Sequence, residues 1–522
     1  MTAKSLMIQG TASSVGKSVI TAGLCRWFSR QGYRVAPFKA QNMSNNACVT
    51  AEGGEIGRAQ AVQAQAAGVE PSVLMNPILL KPMADSRSQV VVLGKVLCEM
   101  TAAEYHRTKP KLRHTVEQAY QRLAAENDLI IIEGAGSPAE INLMENDLVN
   151  MGMAQMADAP VLLVGDIDRG GVFAALAGTM LLLPEADRSR IQGVIINKFR
   201  GDPEILKPGL RMLKQLIKVP VLGVVPYREL DLDEEDGAVE LNRPTAGRGS
   251  QPAPGSRVAI RVVRLPRIAN FTDFEWLARQ PDVDLTYVTS PAEVAGADLV
   301  ILPGSKNTIA DLIWLRSRGL VEAIRAHHEG GGQIAGLCGG YQMLGTMIHN
   351  PMLSEGTTEK VAGIGLLDVF TVFGDRKITA QVEGKVLNHA AGMIAGLDGT
   401  GFQGYEIHIG RTERRRGRAP LILTRPDGEK VRDGALSDSG RVFGTYVHGI
   451  FDSPAFSRGV IDNLKRKRGE FPAPVEALDA DRYRDRMLDE FARLLAENLD
   501  MNKIVRITGL HRPLGRGGIG TK

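Results

Sequence analysis

The stretch Leu6-Met7-Ile8-Gln9-Gly10-Thr11-Ala12-Ser13-Ser14-Val15-Gly16-Lys17-Ser18 sets an apolar run, a Gly-rich turn and a Lys-Ser pair in immediate succession, and a helical pattern follows over Lys17–Gln31. A strand that passes through such a turn into a helix aims backbone N–H groups at one point. The helix N-terminus adds positive partial charge there. This predicts a phosphate-binding loop. Gly10, Thr11, Ser13 and Gly16 form the cradle, Lys17 reaches the β- and γ-phosphates, and the Ser18 hydroxyl is a ligand for Mg²⁺. Five residues separate Gly10 from Gly16, one more than the strict Walker spacing.

Working outward, further Ile/Val-rich runs follow at Arg34–Phe38, Leu129–Glu133, Val161–Asp166, Gly193–Asn197 and Pro220–Val225. Helical patterns such as Thr115–Glu126 fill the gaps. Buried strands alternating with helices predict an α/β fold with a parallel sheet. Ligands of such sheets bind at the carboxyl ends of the strands. Glu133 closes one strand and is the expected second oxygen ligand of Mg²⁺. Asp166 and Asp168 follow the next strand, and Asn197 the one after. These are candidates for the substrate site and for reading the nucleotide base, with turn and cap roles as the plain alternative. Lys39 is expected beside the transferred phosphate, where its charge stabilises the phosphoryl oxygens. The neutral polar residues next to it, Gln41, Asn42 and Asn45, are candidate substrate contacts.

Over 241–257 the chain turns rich in Pro, Gly, Ser and Arg and reads as a linker. A second α/β series then begins with Val258–Val263, Leu285–Val288, Leu299–Leu302 and Gln333–Leu337. The last run leads into Cys338-Gly339-Gly340-Tyr341-Gln342 and a helical pattern over Met343–Met347. Glycines on both sides of a cysteine, between strand and helix, permit a sharp nucleophile elbow. The helix N-terminus there favours the reactive thiolate. His448, in Gly444-Thr445-Tyr446-Val447-His448-Gly449, is the expected proton-transfer partner, with His408 as competitor. Gly304 and Ser305, in a turn after Leu302, are expected to supply oxyanion-hole N–H groups. Gly339, Gln342 and Tyr405 complete the expected pocket. The predicted organisation is a phosphate-binding domain at 1–240, the linker, a nucleophile domain at 258–500 and a poorly ordered tail at 501–522.

Composition narrows the function classes. The 522 residues carry 63 Lys+Arg against 59 Asp+Glu, a net charge of +4, too small for a nucleic-acid-binding face. The content of 43% hydrophobic and 23% charged residues is that of a globular protein with ample core. No apolar run approaches the ~20 residues of a membrane span. The N-terminus runs into a strand with no signal-peptide pattern. Cys25, Cys48, Cys98 and Cys338 are far apart, which disfavours a disulfide framework or zinc site and fits a reducing cytoplasm.

The loop Gly10–Ser18 resembles the dethiobiotin-synthetase-like branch of P-loop proteins. The elbow, the later His and the turn at Gly304 resemble the class I glutamine amidotransferase fold, except that Ile450 stands where many of those enzymes carry an acid two residues after the His. Taken with GTASSVGKS, FKAQNMSNN, MNPILLKP, IIEGAGSPAEINL, GDIDRGGVFA, INKFRGD, LPGSKNT, GLCGGYQMLG, GYEIHIG and GTYVHGIF, the chain resembles the CobB/CobQ-type amidotransferase family from about Ser5 to Asn498. Within it the cobyric acid synthase branch fits better than the cobyrinate a,c-diamide synthases. The resemblance implies ATP, Mg²⁺ and L-glutamine as co-reactants and adenosylcobyrinic acid a,c-diamide as substrate. Four peripheral carboxylates (b, d, e, g) are then amidated, with a shielded path for ammonia and room for a homo-oligomer. A partitioning-type ATPase or a non-catalytic corrinoid-binding module would leave Cys338 and His448 unexplained.

Overall fold

The computed structural model describes residues 3–83, 87–228, 257–388, 391–472 and 479–510. The chain divides into two units.

The first unit is built on a sheet of β1 (Lys4–Gly10), β2 (Val35–Phe38), β3 (Leu129–Glu133), β4 (Val161–Asp166), β5 (Ile191–Phe199) and β6 (Val221–Pro226). Its order is β6-β5-β4-β1-β3-β2, and every pairing is parallel. Successive residues face opposite sides of a strand. Leu129 and Ile131 therefore enter one core while Ile130 and Ile132 enter the other. This is why the strand is apolar without interruption. The same parallel register brings the carboxyl ends of β1, β3, β4 and β5 to one edge, with Ile8 opposite Glu133 and Asp166 opposite Asn197.

The second unit repeats the plan. Its sheet consists of β7 (Val258–Val263), β8 (Val283–Val288), β9 (Leu299–Leu302), β10 (Gln333–Leu337), β11 (Ala435–Leu436) and β12 (Val442–Thr445), in the order β8-β7-β9-β10-β12-β11. All pairings are parallel except β11 with β12. A long antiparallel hairpin, Val369–Val386 with Gly401–Arg414, belongs to a separate sheet. It sets Tyr405 opposite His448. Both sheets bear out the α/β reading.

Three boundaries differ from expectation. The expected linker at 241–257 lies outside the described residues except for Arg257. The second domain does not run to residue 500, because from Arg482 onward the chain belongs to the first unit. The tail is not irregular from 501, since Met501–Thr508 is helical; 511–522 lie outside the described residues. The physical reason is the apolar stripe Leu488, Phe491 and Leu495 on the helix Ala480–Asn498, which joins Ile20, Leu24 and Phe28 in one core. Gly23 permits the close approach, because a Cβ there would sit 2.5 Å from Leu495. Arg26 and Arg30 bind Asp489 at 2.7 and 2.9 Å. The Asp500 N–H then donates to Leu222 O at 2.8 Å and covers part of edge strand β6. Truncating the fully buried Leu495 to Ala should destabilise the first unit by about 2–5 kcal/mol. Urea titration should show its unfolding transition at lower denaturant, and an unmoved transition would contradict this role.

Candidate active sites

In the first unit the strand β1 ends at Gly10 and the helix Lys17–Arg30 starts at Lys17, with no acidic residue in its first turn and no side-chain cap. Its first N–H groups therefore face the loop, as an anion site requires. Lys17 lies across the loop, with Nζ donating to Ala12 O at 2.8 Å and Gly136 O at 3.0 Å. Glu133 gathers the site's polar groups. One of its oxygens accepts from Ser18 Oγ at 2.7 Å and from Lys39 Nζ at 3.0 Å, and the other accepts from Gln63 Nε2 at 2.5 Å. Burial pushes this carboxyl up. The Lys39 ammonium and the bonds from Ser18 and Gln63 outweigh burial and hold it below the usual carboxylate value.

Ser18 and Glu133 thus meet, as expected, and both are hard oxygen donors of the kind Mg²⁺ takes. Asn197 donates from Nδ2 to Val15 O at 2.9 Å and fastens the loop from below. Asp166 pairs with Lys198 at 3.1 Å, and Lys198 in turn reaches Ser14 O at 2.7 Å. Asp168 pairs with Arg200 at 2.8 Å. Gln41 accepts from the Tyr105 hydroxyl at 2.6 Å, and Asn42 donates to Gln60 at 2.9 Å. Thr11 N–H donates to Val164 O at 2.9 Å, and Ser13 is exposed. Asn45 is grouped with the second unit. Sequence reasoning missed Gln63, which sits on the Ala/Gln-rich helix Arg58–Ala67 without any motif. It also missed Asn76, whose Nδ2 holds Lys39 O at 3.1 Å and steadies the Lys39 backbone.

In the second unit β10 delivers Cys338 into a turn at φ 51°, ψ −107°. A non-glycine residue with positive φ stores strain of order 1–3 kcal/mol, which the surrounding packing has to hold. It does so through Gly340. A Cβ there would lie 2.0 Å from Leu302 O, so only glycine lets the elbow close onto β9. The helix that follows is Gly339–Leu344, and Met347 already begins a strand. This corrects the helical pattern expected over Met343–Met347. The elbow needs helical N–H groups immediately after the nucleophile, so the turn starts four residues earlier.

His448 is buried and donates from Nδ1 to Asp273 Oδ2 at 2.7 Å. Its other partner is the Cys338 thiol. Asp273 also accepts from the Gly449 N–H at 3.0 Å, which fixes the carboxylate. The Tyr405 ring stacks on the imidazole at 5.3 Å between centroids. Burial alone would lower the imidazole's proton affinity. The charge and hydrogen bond of Asp273 overcome it, and with Cys338 they push His448 up to about 10. Asp273 takes the place of the acid missing at Ile450. No motif marked it, because it comes from the buried turn Phe271–Phe274, far upstream of the elbow. The available signal was a lone acid between two phenylalanines just after a β-strand.

His408 is committed elsewhere, stacked on Tyr446 at 3.7 Å with Nδ1 bonded to Gly410 O at 2.7 Å. Gly304 and Ser305 pair antiparallel with Ile268–Ala269, which pins the turn near the elbow. A Cβ on Gly339 would come within 3.0 Å of Ser305 N. Ser305 Oγ is bound to Asp311 at 2.7 Å, so it is the backbone of Ser305 that faces the elbow. Gln342 is held by Thr308 at 3.2 Å and Tyr446 at 3.1 Å, and braces the helix that carries the elbow.

A phosphate-loop unit and a unit that brings Cys338, His448 and Asp273 together are the two parts a glutamine-dependent ligase requires. Residues 6–237 match the CobQ/CobB/MinD/ParA nucleotide binding domain, and residues 259–456 match the CobB/CobQ-like glutamine amidotransferase domain. The cobyric acid synthase of Thermoanaerobacter sp. (strain X514) is 50% identical over 507 residues, which is 96% of this chain and 98% of the relative. That of Photorhabdus laumondii is 48% identical over 511 residues, 97% of this chain and 98% of the relative. The chain belongs to the cobyric acid synthase family. No helix among the described residues is long and apolar enough to cross a membrane.

Proposed function

We propose that the chain uses ATP and glutamine to amidate the b, d, e and g carboxylates of adenosylcobyrinic acid a,c-diamide in cobalamin synthesis. The observation that carries the reading is the Cys338–His448–Asp273 relay, in a chain whose other unit gathers Lys17, Ser18 and Glu133 at a sheet edge. His448 takes the thiol proton and Cys338 Sγ adds to the glutamine side-chain carbonyl carbon. Backbone N–H groups of Gly339 and the Gly304–Ser305 turn meet the oxyanion. His448 returns the proton to the departing ammonia, and water then hydrolyses the thioester.

In the first unit the loop N–H groups and Lys17 hold the phosphates of ATP. Ser18 and Glu133 are the residues that would hold Mg²⁺, which when bound neutralises phosphate charge. Lys39, fixed by Glu133, adds a positive charge near the transferred group. A carboxylate resists nucleophiles because it is anionic. Phosphorylating its oxygen makes an acyl phosphate, and ammonia then displaces phosphate to leave the amide. We assign the chain to a reducing cytoplasm, as four cysteines far apart in sequence and forming no CxxC pair suggest.

Incubation of the protein with ATP, Mg²⁺, glutamine and the a,c-diamide, followed by mass spectrometry, counts the amides gained. Four are expected. No gain on this substrate would reject the assignment, and in a parallel incubation with cobyrinic acid a gain of two amides, at a and c, would mark the a,c-diamide synthase.

A further inference from the structure

The segment Asn45–Gly53 follows a strand of the first unit, Gln41–Met43, and precedes another, Glu55–Gly57, yet it is grouped with the second unit. Ala47 and Val49 are each 1% exposed there. Gln381 Nε2, on the long hairpin, donates to Val49 O at 2.9 Å. The Ala47 N–H donates to Asn270 Oδ1 at 3.1 Å. A backbone N–H can only donate, so this bond decides which way the Asn270 amide points. The oxygen faces Ala47 and the NH₂ faces His448, where Nδ2 lies 3.4 Å from Nδ1 and 3.3 Å from Nε2. Near-equal distances to both ring nitrogens put the amide over the imidazole face, not in line with either lone pair. Asn270 also supports the Asp273 turn, since its carbonyl accepts from the Asp273 N–H at 3.0 Å. It adopts φ 52°, ψ 44°, a left-handed conformation that Asn tolerates better than most residues.

We propose that Asn45–Gly53 is a coupling element: by setting the orientation of the Asn270 amide it tunes proton transfer at His448, and so reports the state of the phosphate-binding unit to the glutaminase through the chain itself. With Ala47 in place, the partial positive charge of the NH₂ rests against the imidazole and opposes its protonation. Movement of the segment releases the amide to turn over, and its oxygen then favours the protonated ring. Among the described residues the groups facing His448 are Asp273, the Cys338 thiol, the Tyr405 ring and the backbone at Gly304, and the Asn270 amide adds a neutral dipole whose direction a distant part of the sequence sets. Asn270 is therefore a positioning residue.

The inference rests on Cys338 being the glutaminase nucleophile. Glutamine hydrolysis that survived Cys338→Ser would sink that reading, whereas the following experiment tests only the segment. Hydrolysis by the full chain is measured with and without ATP, Mg²⁺ and the a,c-diamide. A coupling of the usual size makes the ratio about 5–150-fold in the native chain. In Ala47→Pro, which lacks the N–H, the ratio should fall toward one while amidation with added ammonia continues. A native ratio in Ala47→Pro overturns the proposal. Should that variant fail to fold, Asn270→Gly decides, because glycine keeps the left-handed backbone. It should lose the ratio and move the alkaline limb of the hydrolysis profile to higher pH, as removal of the NH₂ dipole requires. A native ratio with an unmoved limb in Asn270→Gly likewise overturns it.

Discussion

Replacing Cys338 with Ala lowers glutamine-dependent amidation by about 10³-fold or more, while amidation with added ammonia persists. Cys338 lies in the second unit, and among the described residues its thiol is bonded to Ile407 O at 3.4 Å and to His448. Because position 338 has φ 51°, Ala bears there the strain of a left-handed residue. Cys338→Ser, which keeps a side chain of similar shape, is the matched control and should show the same split. Equal loss of both activities would refute two separable sites. Steady-state assays with glutamine and with ammonium at alkaline pH make the comparison.

Asp273→Asn lowers kcat for glutamine hydrolysis by about 10²–10⁴-fold. Two effects act together. The carboxylate accepts from Nδ1 at 2.7 Å and so leaves Nε2 open to take the thiol proton. An Asn amide can donate to Nδ1, which forces the proton onto Nε2 and blocks that transfer. The second effect is electrostatic. Burial disfavours the imidazolium, and Asp273 is the main force that raises His448 to about 10. Without the charge, burial prevails and the imidazole holds its proton only to lower pH. The alkaline limb of the kcat profile should therefore move down. Stability carries the same sign: the contribution from His448 is present below its unfolded value of about 6.5 and fades as pH rises toward 10. The variant forgoes it. A kcat within a few-fold of native and an unmoved limb would remove Asp273 from the mechanism.

The legible parts of the fold were those with a local signature. The strands Leu129–Glu133, Val161–Asp166, Leu299–Leu302 and Gln333–Leu337 stand where the apolar runs predict them, because a strand buried on both faces must be apolar throughout. The loop Gly10–Ser18 and the elbow at Cys338 were legible because close backbone approach requires glycine at set spacings. The helix Ala480–Asn498 was read correctly as a helix and assigned to the wrong unit. Its apolar stripe says that it packs, but a stripe carries no address.

The sequence by itself determined two α/β units, a phosphate-loop turn and a glycine-flanked cysteine elbow, since each follows from periodicity or from contiguous residues whose steric demands are local. The tertiary structure decided the partners. Asp273 reached His448, Gln63 reached Glu133, and Ala47 reached Asn270 across long stretches of chain. Each contact is one hydrogen bond between residues that many positions tolerate. Such a bond depends on where the folded backbone sets its two ends, and no local spacing encodes that.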